Sequence, residues 1–246
     1  VAATFGTVAG QYASARPGYP DRLFAWLATQ APSTQLAWDC AAGSGQASVG
    51  LARYFDHVVA TDASVEQIAR AAADPRIDYR VAPAERSGLA DGSVDVITVA
   101  QGLHWLPLDE FYAEVRRVAR PGALLAVWTY HWLTTGCARI DAIVDRLDIR
   151  TVDAYWPAGR SHVETEYADI PFPFEPLEVP RFEMSAQWTA DRLARYLRSW
   201  SAVARYREAT GIDPVDEVEA GLARFWSPDV VREVRWPLTV LVGRVT

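Results

Sequence analysis

The chain has 246 residues, of which 50% are hydrophobic, and it carries a net charge of −7 at pH 7. This length and this apolar content are enough for one large α/β domain with its own core. The excess of acidic residues argues against a nucleic-acid-binding surface, and no apolar run is long enough to cross a bilayer. All 24 basic residues are arginines, so reactions that depend on a lysine are excluded.

Two cysteines and four histidines are scattered through the sequence without the spacing of metal ligands. We therefore expect no metal site, and we expect Cys40 and Cys137 to stay reduced in a cytoplasmic protein. The N-terminal residues also lack the basic and apolar segments of a secretory signal.

Short apolar runs alternate with amphipathic segments as far as residue 130. The apolar runs predict five strands, at Leu36–Cys40, 57–61, Ile77–Val81, Val94–Ala100 and 123–128. The segments between them predict helices at 46–54, 64–73 and 109–118. Strands that alternate with helices are joined by right-handed crossovers, so the pattern predicts a doubly wound, mostly parallel α/β sheet.

The pattern is less regular after residue 130. It predicts a helix at 137–150, a segment rich in proline and aromatic residues at 155–180, and a long amphipathic helix at 188–207. Asp213 and Pro214 are typical of a helix start, here of a helix that runs to residue 225, and a last strand follows at 237–243. This half contains no repeat and no long linker, so we expect it to complete the sheet and to cover a crevice as an embedded cap.

A loop of small residues follows the first predicted strand, which ends in Asp39 and Cys40. Gly43 and Gly45 let the backbone approach a ligand closely, and the next helix begins with free N–H groups. Asp62 ends the second strand, where a carboxylate can accept both hydroxyl groups of a ribose. The arrangement indicates a nucleotide-binding crevice.

Further polar residues follow the third and fourth strands. Ala84 and Glu85 come after the third strand, and Gln101, His104 and Trp105 come after the fourth. Since the ligands of doubly wound sheets collect at the carboxyl ends of the strands, we expect these residues to line the same crevice.

These motifs resemble those of class I S-adenosylmethionine-dependent methyltransferases, in particular the small-molecule family known as type 11. The resemblance is strongest over residues 10–130 and rests on Tyr12…Arg16-Pro-x-Tyr19-Pro20, Asp39…Gly43-x-Gly45-Gln46, Asp62, Ala84-Glu85, Asp91-x-Ser93-x-Asp95, His104-Trp105 and Arg117-Val-x-Arg-Pro121-Gly122. The tail, with Trp200-Ser201 and Pro237-Leu238, is similar to that of the trans-aconitate-methyltransferase-like subgroup. Ala41 stands where the family usually has its first glycine.

The resemblance implies a Rossmann-like fold with a seven-stranded sheet in a single domain. The expected parts of this domain are an N-terminal lid (1–20), a cofactor-binding core (21–130), a cap with substrate-side elements (131–236) and the last strand (237–246).

The resemblance also implies S-adenosylmethionine as the cofactor and S-adenosylhomocysteine as the product. The residues expected to bind this cofactor are Tyr12, Arg16, Asp39, Ala41, Gly43, Gly45, Asp62, Ala63, Ala84, Glu85, Gln101 and His104. Within this set, the glycine loop would pass under the methionine part, Asp62 would hold the ribose and Glu85 would meet the adenine. Tyr12 and Arg16 would belong to the lid.

Methyl transfer is an in-line displacement, in which the protein mainly has to hold acceptor, methyl group and sulfur in line. The residues expected on the substrate side are Tyr19, Trp105, Tyr130, Trp132 and Trp200. Trp105 is the expected positioning residue, since aromatic faces stabilise a sulfonium cation. A hydroxyl or amine acceptor would require a base, for which His104 and His131 are candidates, whereas a carboxylate would not.

The expected acceptor is a small molecule, either a carboxylic acid or a hydroxylated metabolite, with O-methylation favoured, and both a monomer and a homodimer are compatible with the sequence. One alternative is a cofactor-binding protein without catalytic activity. The other is a nicotinamide-dependent oxidoreductase, against which stand the missing third glycine and the absence of the lysine that short-chain dehydrogenases need. A nucleic-acid methyltransferase is disfavoured by the net charge and by the QGLHW sequence after the fourth strand.

Overall fold

Eight strands form the sheet in the computed structural model of the chain, which describes residues 17–246. They are β1 (Leu36–Cys40), β2 (His57–Asp62), β3 (Ile77–Val81), β4 (Val94–Ala100), β5 (Ala119–Thr129), β6 (Glu175–Pro176), β7 (Phe182–Trp188) and β8 (Arg232–Arg244). Seven of them follow the order β3-β2-β1-β4-β5-β8-β6, and β7 pairs with the first half of β8. The first five strands are parallel, whereas β8 runs antiparallel to β5.

Helices connect the parallel strands of the first half, and most of the second half is helical. The α-helices are α1 (Asp21–Gln30), α2 (Gln46–Leu51), α3 (Val65–Ile68), α4 (Leu108–Val118), α5 (Ala138–Arg146), α6 (Arg160–Glu164), α7 (Ala190–Arg198), α8 (Ser201–Thr210) and α9 (Val215–Leu222). Short 3₁₀ helices cover Leu103–Trp105 and Asp153–Tyr155, and a π-helical turn, Leu147–Thr151, continues α5. The predicted α/β class with a mostly parallel sheet is confirmed. The expected count of seven strands is wrong, because β7 adds an eighth strand along the first half of β8.

Adjacent residues of the central strand β1 belong to different cores. Ala37 lies in a cluster that also contains Trp128 and, from the C-terminal half, Trp236. Trp38 lies in a second cluster, where it packs against Phe111 of α4. Both faces of the sheet are therefore covered, as a parallel sheet requires. No helix within residues 17–246 is both long and apolar enough to cross a membrane.

The single helix predicted at 188–207 is wrong, because this segment forms two helices, α7 and α8. Oγ of Ser199 donates to the carbonyl of Tyr196 at 2.6 Å, and the backbone at Trp200 is extended. A serine side chain that occupies a backbone carbonyl competes with the helical hydrogen bonds, so the helix ends there. The apolar pattern continues across the break because both helices pack in the first cluster.

Other boundaries differ from the prediction by a few residues. The helices predicted at 46–54 and 64–73 end earlier, as α2 and α3, and the one predicted at 137–150 is α5 followed by the π-helical turn. The fifth strand begins before Pro121 and has an irregular register against β4, with Gly122 at a φ of +79°. The last strand begins at Arg232 because its first half pairs with β7.

A single arginine connects α7 to the start of α9. Nε of Arg198 is 2.8 Å from Asp213, and its two terminal nitrogens lie 2.7 Å from Glu219 and 2.8 Å from Asp216. These three carboxylates raise the pKa of Arg198, against the effect of its partial burial. The arginine therefore compensates three negative charges that would otherwise repel each other.

We predict that Arg198→Met lowers the free energy of unfolding by about 2 kcal/mol, because the three carboxylates lose their shared cation. Denaturant unfolding measures this difference. The matched control is Arg195→Met on the same helix, since Arg195 forms one exposed ion pair with Asp191 and its loss should change stability by at most about 0.5 kcal/mol. Equal effects of the two substitutions would contradict the interpretation.

Candidate active site

A buried carboxylate holds the carboxyl end of β1 in place. Asp39 is fully buried, its Oδ2 accepts a hydrogen bond from Ser48 of α2 at 2.6 Å, and its Oδ1 accepts one from Thr98 of β4 at 2.8 Å. Burial raises the pKa of Asp39 to about 6, although the two hydroxyl donors act in the opposite direction. Both oxygens are thus used within the protein, which fits the expected role of Asp39 in orienting the loop.

The loop after β1 has an unusual backbone. Ala41, Gly43 and Gly45 have φ values of +54°, +57° and +82°, a region that glycine adopts most easily. A Cβ on Gly45 would overlap the ring of Tyr79 from β3. Glycine is required at position 45 both by the backbone conformation and by this close approach.

Asp62 closes the loop from the neighbouring strand. Its Oδ2 accepts the N–H of Gly43 at 2.9 Å, and its Oδ1 accepts the N–H of Ser64 at 2.8 Å. A carboxylate has about four acceptor positions, and Asp62 is only partly buried, so lone pairs remain for further hydroxyl groups. The structure brings Asp62 and the glycine loop together, with exposed Ala63 beside them.

The residues that follow β3 form the next part of this edge. Ala84 is buried and Glu85 is exposed. Just beyond them, Glu114 of α4 accepts hydrogen bonds from the N–H and the hydroxyl of Ser87, at 2.8 and 2.6 Å. Burial acts to raise the pKa of Glu114, but hydrogen bonds from Arg117 and Ser87 lower it to about 2. This fixed carboxylate anchors the loop that carries Ala84 and Glu85.

Gln101 joins the ends of β4 and β5. Its φ is +59°, and its Nε2 donates to the carbonyl of Tyr130 at 2.7 Å. Its Oε1 accepts from the N–H of Tyr130 at 3.0 Å and from the hydroxyl of Thr129 at 2.7 Å. The side chain expected to contact the cofactor is therefore engaged in bracing two strand ends, where it also lines a cleft.

This cleft lies beyond the ends of β4 and β5. It contains about 690 Å³ of empty space, part of it open to solvent. Its aromatic lining consists of Trp105, Tyr130, Trp156, Tyr196 and Trp200. Because these residues come from both halves of the chain, the C-terminal half and the strand ends build the cleft together.

Three of the five residues predicted for the substrate side line this cleft, namely Trp105, Tyr130 and Trp200. Trp105 is 37% exposed, so its indole is accessible to a ligand. Tyr19 instead packs against the first apolar cluster, and Trp132 lies outside the lining with 44% of its surface exposed.

The predicted lid residues Tyr12 and Arg16 lie outside the described part of the chain. Pro17 is the first residue that the structure describes, and its carbonyl accepts a hydrogen bond from Nε2 of Gln46 at 2.5 Å. Gln46 is the first residue of α2, so Pro17 lies directly beside the glycine loop.

His104 is a neutral imidazole at the edge of the cleft. Its Nδ1 lies 2.9 Å from the hydroxyl oxygen of Tyr167. Burial lowers the pKa of His104 to about 4, and the charges of His162 and Arg160 act in the same direction. At neutral pH the ring is uncharged, and it holds an additional proton only weakly.

A charge cluster connects the helical C-terminal half to the end of β5. Oδ2 of Asp148 lies 3.0 Å from Nε2 of His131 and 2.9 Å from a terminal nitrogen of Arg160. Its Oδ1 accepts the indole N–H of Trp156 at 2.7 Å, and the guanidinium of Arg160 lies 4.1 Å from the ring centroid of Trp156. Burial acts to raise the pKa of Asp148, but the interactions with His131 and Arg160 lower it.

His131, the second candidate for a base, is part of this cluster. The side chain of His131 is 4% exposed, its Nε2 faces Asp148, and its Nδ1 is buried with no hydrogen-bond partner among residues 17–246. Sequence reasoning missed Asp148, Arg160 and Tyr167. Asp148 lies on the π-helical turn, a feature frequent at functional sites, but no periodicity in the sequence marks such a turn.

The chain is similar in sequence or in fold to several known proteins. A model of the methyltransferase domain known as Methyltransf_11 matches residues 38–127. A Dictyostelium discoideum protein named as a methyltransferase is 33% identical over 223 residues, which are 89% of this chain and 85% of that protein. A solved structure from Anaeromyxobacter dehalogenans, described as a type II methyltransferase, is 46% identical, covers 94% of this chain and 98% of its own, and superposes with a TM-score of 0.88. The structure of the [4+2]-cyclase SpnF shares the fold alone, with 15% identity over 98% of this chain and 93% of its own, and a TM-score of 0.51.

The strand order, the glycine loop after β1 and the acidic residue at the end of β2 are those of a Rossmann-like methyltransferase. The chain belongs to the class I S-adenosylmethionine-dependent methyltransferases, with a type 11 domain over residues 38–127. The trans-aconitate-methyltransferase-like subgroup stays a prediction.

We predict that Gly45→Ala lowers the free energy of unfolding by about 2–3 kcal/mol, because the new Cβ combines an unfavourable φ with an overlap on Tyr79. The matched control is Gly211→Ala, since Gly211 has a φ of +73° and nothing within 4 Å of an added Cβ. This control should cost only about 1 kcal/mol. If denaturant unfolding gives the same loss of free energy for both variants, the close approach of Tyr79 does not contribute to the destabilisation.

We also predict a pH-dependent effect of Asp39→Asn. The pKa of Asp39 is raised in the folded state, so folding favours its protonated form and the wild type loses stability as the pH rises from about 4 through 6. Asparagine stays neutral, and the hydroxyl groups of Ser48 and Thr98 can rotate to meet it. The free energy of unfolding of the variant, relative to that of the wild type, should therefore increase between pH 4.5 and 7.5 in denaturant titrations. A difference that stays constant with pH would contradict the raised pKa of Asp39.

Proposed function

We propose that the chain transfers a methyl group from S-adenosylmethionine to the oxygen of a small-molecule acceptor. The observation that carries the proposal is the position of Asp62 and the glycine loop beside an aromatic cleft at the same edge of the sheet. Asp62 keeps acceptor positions for ribose hydroxyls, and the positive φ values of Gly43 and Gly45 make a tight loop whose backbone a cofactor can approach closely. These residues fit S-adenosylmethionine, which supplies a methyl group already activated by a sulfonium.

The residues of the crevice take separate roles in this proposal. Gly43 and Gly45, with Ala41, present backbone groups to the methionine part, and Asp39 orients that loop from below. Asp62, next to Ala63, holds the ribose. Ala84 and Glu85 flank the adenine, while Gln101 and His104 line the side on which the methyl group is transferred. Tyr12 and Arg16, which lie outside the described residues, would take the role of a lid in this proposal.

The protein's contribution to the reaction is the orientation of two ligands. An in-line displacement needs the acceptor oxygen, the methyl carbon and the sulfur on one line, and fixing that arrangement lowers the barrier. Trp105 offers an accessible indole at the cleft, where an aromatic face stabilises a nearby cation. Tyr130 and Trp200 supply apolar walls that exclude water. Trp105 therefore acts as a positioning residue.

Two alternatives make different demands on the same residues. A cofactor-binding protein without activity would keep Asp62 and the glycine loop but would have no need of an open aromatic cleft. The fold shared with a [4+2]-cyclase shows that this architecture does not by itself fix the reaction. A nicotinamide-dependent oxidoreductase would bind a dinucleotide, which a direct binding experiment separates from S-adenosylhomocysteine. Location in the cytoplasm is part of the proposal and is supported by two free cysteines, Cys40 and Cys137.

We predict that S-adenosylhomocysteine raises the melting temperature of the wild type by several degrees, and that NAD and NADP do not. A ligand at about a hundred times its dissociation constant stabilises the folded state by roughly 2.7 kcal/mol. Asp62→Ala should lose most of this shift, because the ribose hydroxyls lose their acceptor. Asp56→Ala is the matched control, since Asp56 is exposed next to the opposite end of β2. If Asp62→Ala shows an unchanged shift of the melting temperature, Asp62 does not bind the ribose. A shift with a nicotinamide nucleotide alone would overturn the proposed function.

A further inference from the structure

A chain of hydrogen bonds leads from the end of β5 to His104. It begins at Gln101, whose Nε2 donates to the carbonyl of Tyr130 at 2.7 Å and whose Oε1 accepts the N–H of the same residue at 3.0 Å. A backbone N–H can only donate and a carbonyl can only accept, so Oε1 of Gln101 is fixed as an acceptor. The hydroxyl of Thr129 lies 2.7 Å from this oxygen and therefore donates its proton to it.

The orientation of the Thr129 hydroxyl decides where the proton of Tyr167 lies. Both residues are 1% exposed, so each hydroxyl needs its partners within the protein. The Thr129 hydroxyl approaches the Tyr167 oxygen, and because its own proton lies on Gln101 it offers only lone pairs there. Tyr167 therefore donates to Thr129, since the opposite choice would place the lone pairs of two buried oxygens against each other. The N–H groups of Leu103 and His104 also face the Tyr167 oxygen and use it as an acceptor.

This order of donors fixes the tautomer of His104. Its Nδ1 lies 2.9 Å from the oxygen of Tyr167, whose proton points to Thr129. Nδ1 must therefore carry a proton and donate it to that oxygen, which leaves a lone pair on Nε2 of the neutral ring. His104 lines the cleft, and no hydrogen bond to Nε2 is formed within residues 17–246. The cleft thus contains a proton acceptor.

The backbone is strained at two members of this hydrogen-bonded chain. Within residues 17–246, the residues other than glycine with a positive φ include Gln101 at +59° and Tyr167 at +65°. Such conformations persist only where the surroundings determine them, and they cluster at functional sites. Gly159 packs so closely against His104 that an added Cβ would lie 3.1 Å from Cδ2 of the ring. The imidazole is therefore held in a defined orientation.

The charges around the cleft favour a neutral ligand. Arg160 lines the cleft, but one terminal nitrogen is 2.9 Å from Asp148 and its Nε is 3.2 Å from Glu164. Two carboxylates thus compensate the guanidinium, which also lies 4.1 Å from the ring centroid of Trp156. A carboxylate acceptor would lose hydration without gaining a free cation from Arg160, and its lone pairs would face the lone pair of His104. A neutral hydroxyl compound can donate to that nitrogen.

The other walls of the cleft are flat and aromatic. The ring centroids of Trp156 and Trp200 are 5.5 Å apart, and Tyr196 packs edge-on against Trp200 at 5.9 Å. The ring of Trp105 lies 4.7 Å from that of His104. Aromatic side chains bind planar rings by offset stacking and by edge contacts. A phenol combines such a planar body with a hydroxyl donor.

We propose that Nε2 of His104 accepts the hydroxyl proton of a neutral phenolic acceptor, and that Thr129 and Tyr167 are positioning residues that keep this nitrogen unprotonated. The inference rests on the proposed function and names the acceptor class and the base for the same cleft. A lone pair of the phenol oxygen forms the bond to the methyl carbon, the electron pair of the broken carbon–sulfur bond stays on sulfur, and the hydroxyl proton moves to Nε2. The products are a methyl ether, a neutral thioether and an imidazolium, which releases its proton to solvent.

A weakly basic imidazole is sufficient for this step. Burial lowers the pKa of His104 to about 4, so the ring is neutral and able to accept a proton at neutral pH. The acceptor hydroxyl becomes much more acidic as its oxygen bonds to the methyl group, because that oxygen gains positive charge. Proton transfer can therefore accompany bond formation, and the low pKa favours release of the proton afterwards.

The first test measures the tautomer directly. Two-dimensional ¹H–¹⁵N spectra of the imidazole rings, recorded on the wild-type protein near pH 7, distinguish a protonated Nδ1 from a protonated Nε2, and His104→Gln assigns the signals. We expect His104 to carry its proton on Nδ1. A wild-type ring protonated on Nε2 would overturn the proposal, whether or not any variant folds.

Two variants test the positioning residues in the same spectra. Thr129→Val removes the acceptor of the Tyr167 proton, which should turn to Nδ1 of His104 and move the imidazole proton to Nε2. Tyr167→Phe removes the partner of Nδ1 and should give a mixture of both tautomers. The matched control is Thr61→Val, which should change nothing, since Thr61 is also buried but its hydroxyl meets Trp38. If His104 stays protonated on Nδ1 in both variants, Thr129 and Tyr167 do not set the tautomer.

The second test uses 2-naphthol, 2-naphthoate and naphthalene as probes of similar shape, added to the protein with S-adenosylhomocysteine. We expect 2-naphthol to shift the Nε2 signal of His104 and to bind roughly tenfold more tightly than either other probe, the effect of about one hydrogen bond. His104→Phe keeps an aromatic ring without an acceptor nitrogen, so it should bind 2-naphthol and naphthalene equally within a few fold.

The outcomes of the second test separate the two proposals. Preference of the wild type for 2-naphthoate, or equal binding of 2-naphthol and naphthalene, overturns the acceptor class. A preference for 2-naphthol that persists in His104→Phe removes His104 as the proton acceptor. Failure of S-adenosylhomocysteine to bind would instead contradict the proposed function and leave the tautomer measurement valid.

Discussion

The candidate site depends on one buried carboxylate between three elements. Asp39 takes a hydrogen bond from Ser48 of α2 and another from Thr98 of β4, so the end of β1 cannot move independently of its neighbours. The glycine loop begins two residues later, so its first residue is held in place by the same hydrogen bonds. A buried carboxyl group is costly unless it is hydrogen-bonded. Here the two hydroxyl donors offset part of that cost and hold the end of the strand in one conformation. Asp62 then meets the loop at a defined distance.

The C-terminal half adds a second constraint, because its charge cluster is built around a side chain from the π-helical turn. Asp148 binds a histidine from the end of β5, an arginine from α6 and an indole from the connection between them. A buried ion pair is weak evidence for stability, but it specifies one arrangement when several elements contribute to it. The aromatic walls of the cleft are thereby held in a fixed relation to the strand ends.

The strands of the N-terminal half could be predicted from the sequence because each one depends on a local run of apolar residues. Alternating apolar runs gave β1 to β4 within a residue of their bounds, and the positions of Asp62 and the glycine loop follow from parallel strands ending at one edge. The break at Ser199 and Trp200 could not be read, since it depends on a side chain taking a backbone carbonyl inside a continuous amphipathic pattern. Tyr167 and Asp148 were missed because their partners lie 63 and 17 positions away in the sequence, and such contacts exist only in the folded chain.

The π-helical turn has a consequence for comparing sequences. A π-helical turn contains one more residue than the α-helical turn it replaces, so the register of α5 changes just before Asp148. Deleting Leu147 would restore a regular helix and rotate Asp148 away from Arg160 by about 100°. Relatives that lack this extra residue would have to neutralise the arginine in another way or dispense with it. An alignment gap in this turn would therefore indicate a relative whose charge cluster differs from the one around Asp148.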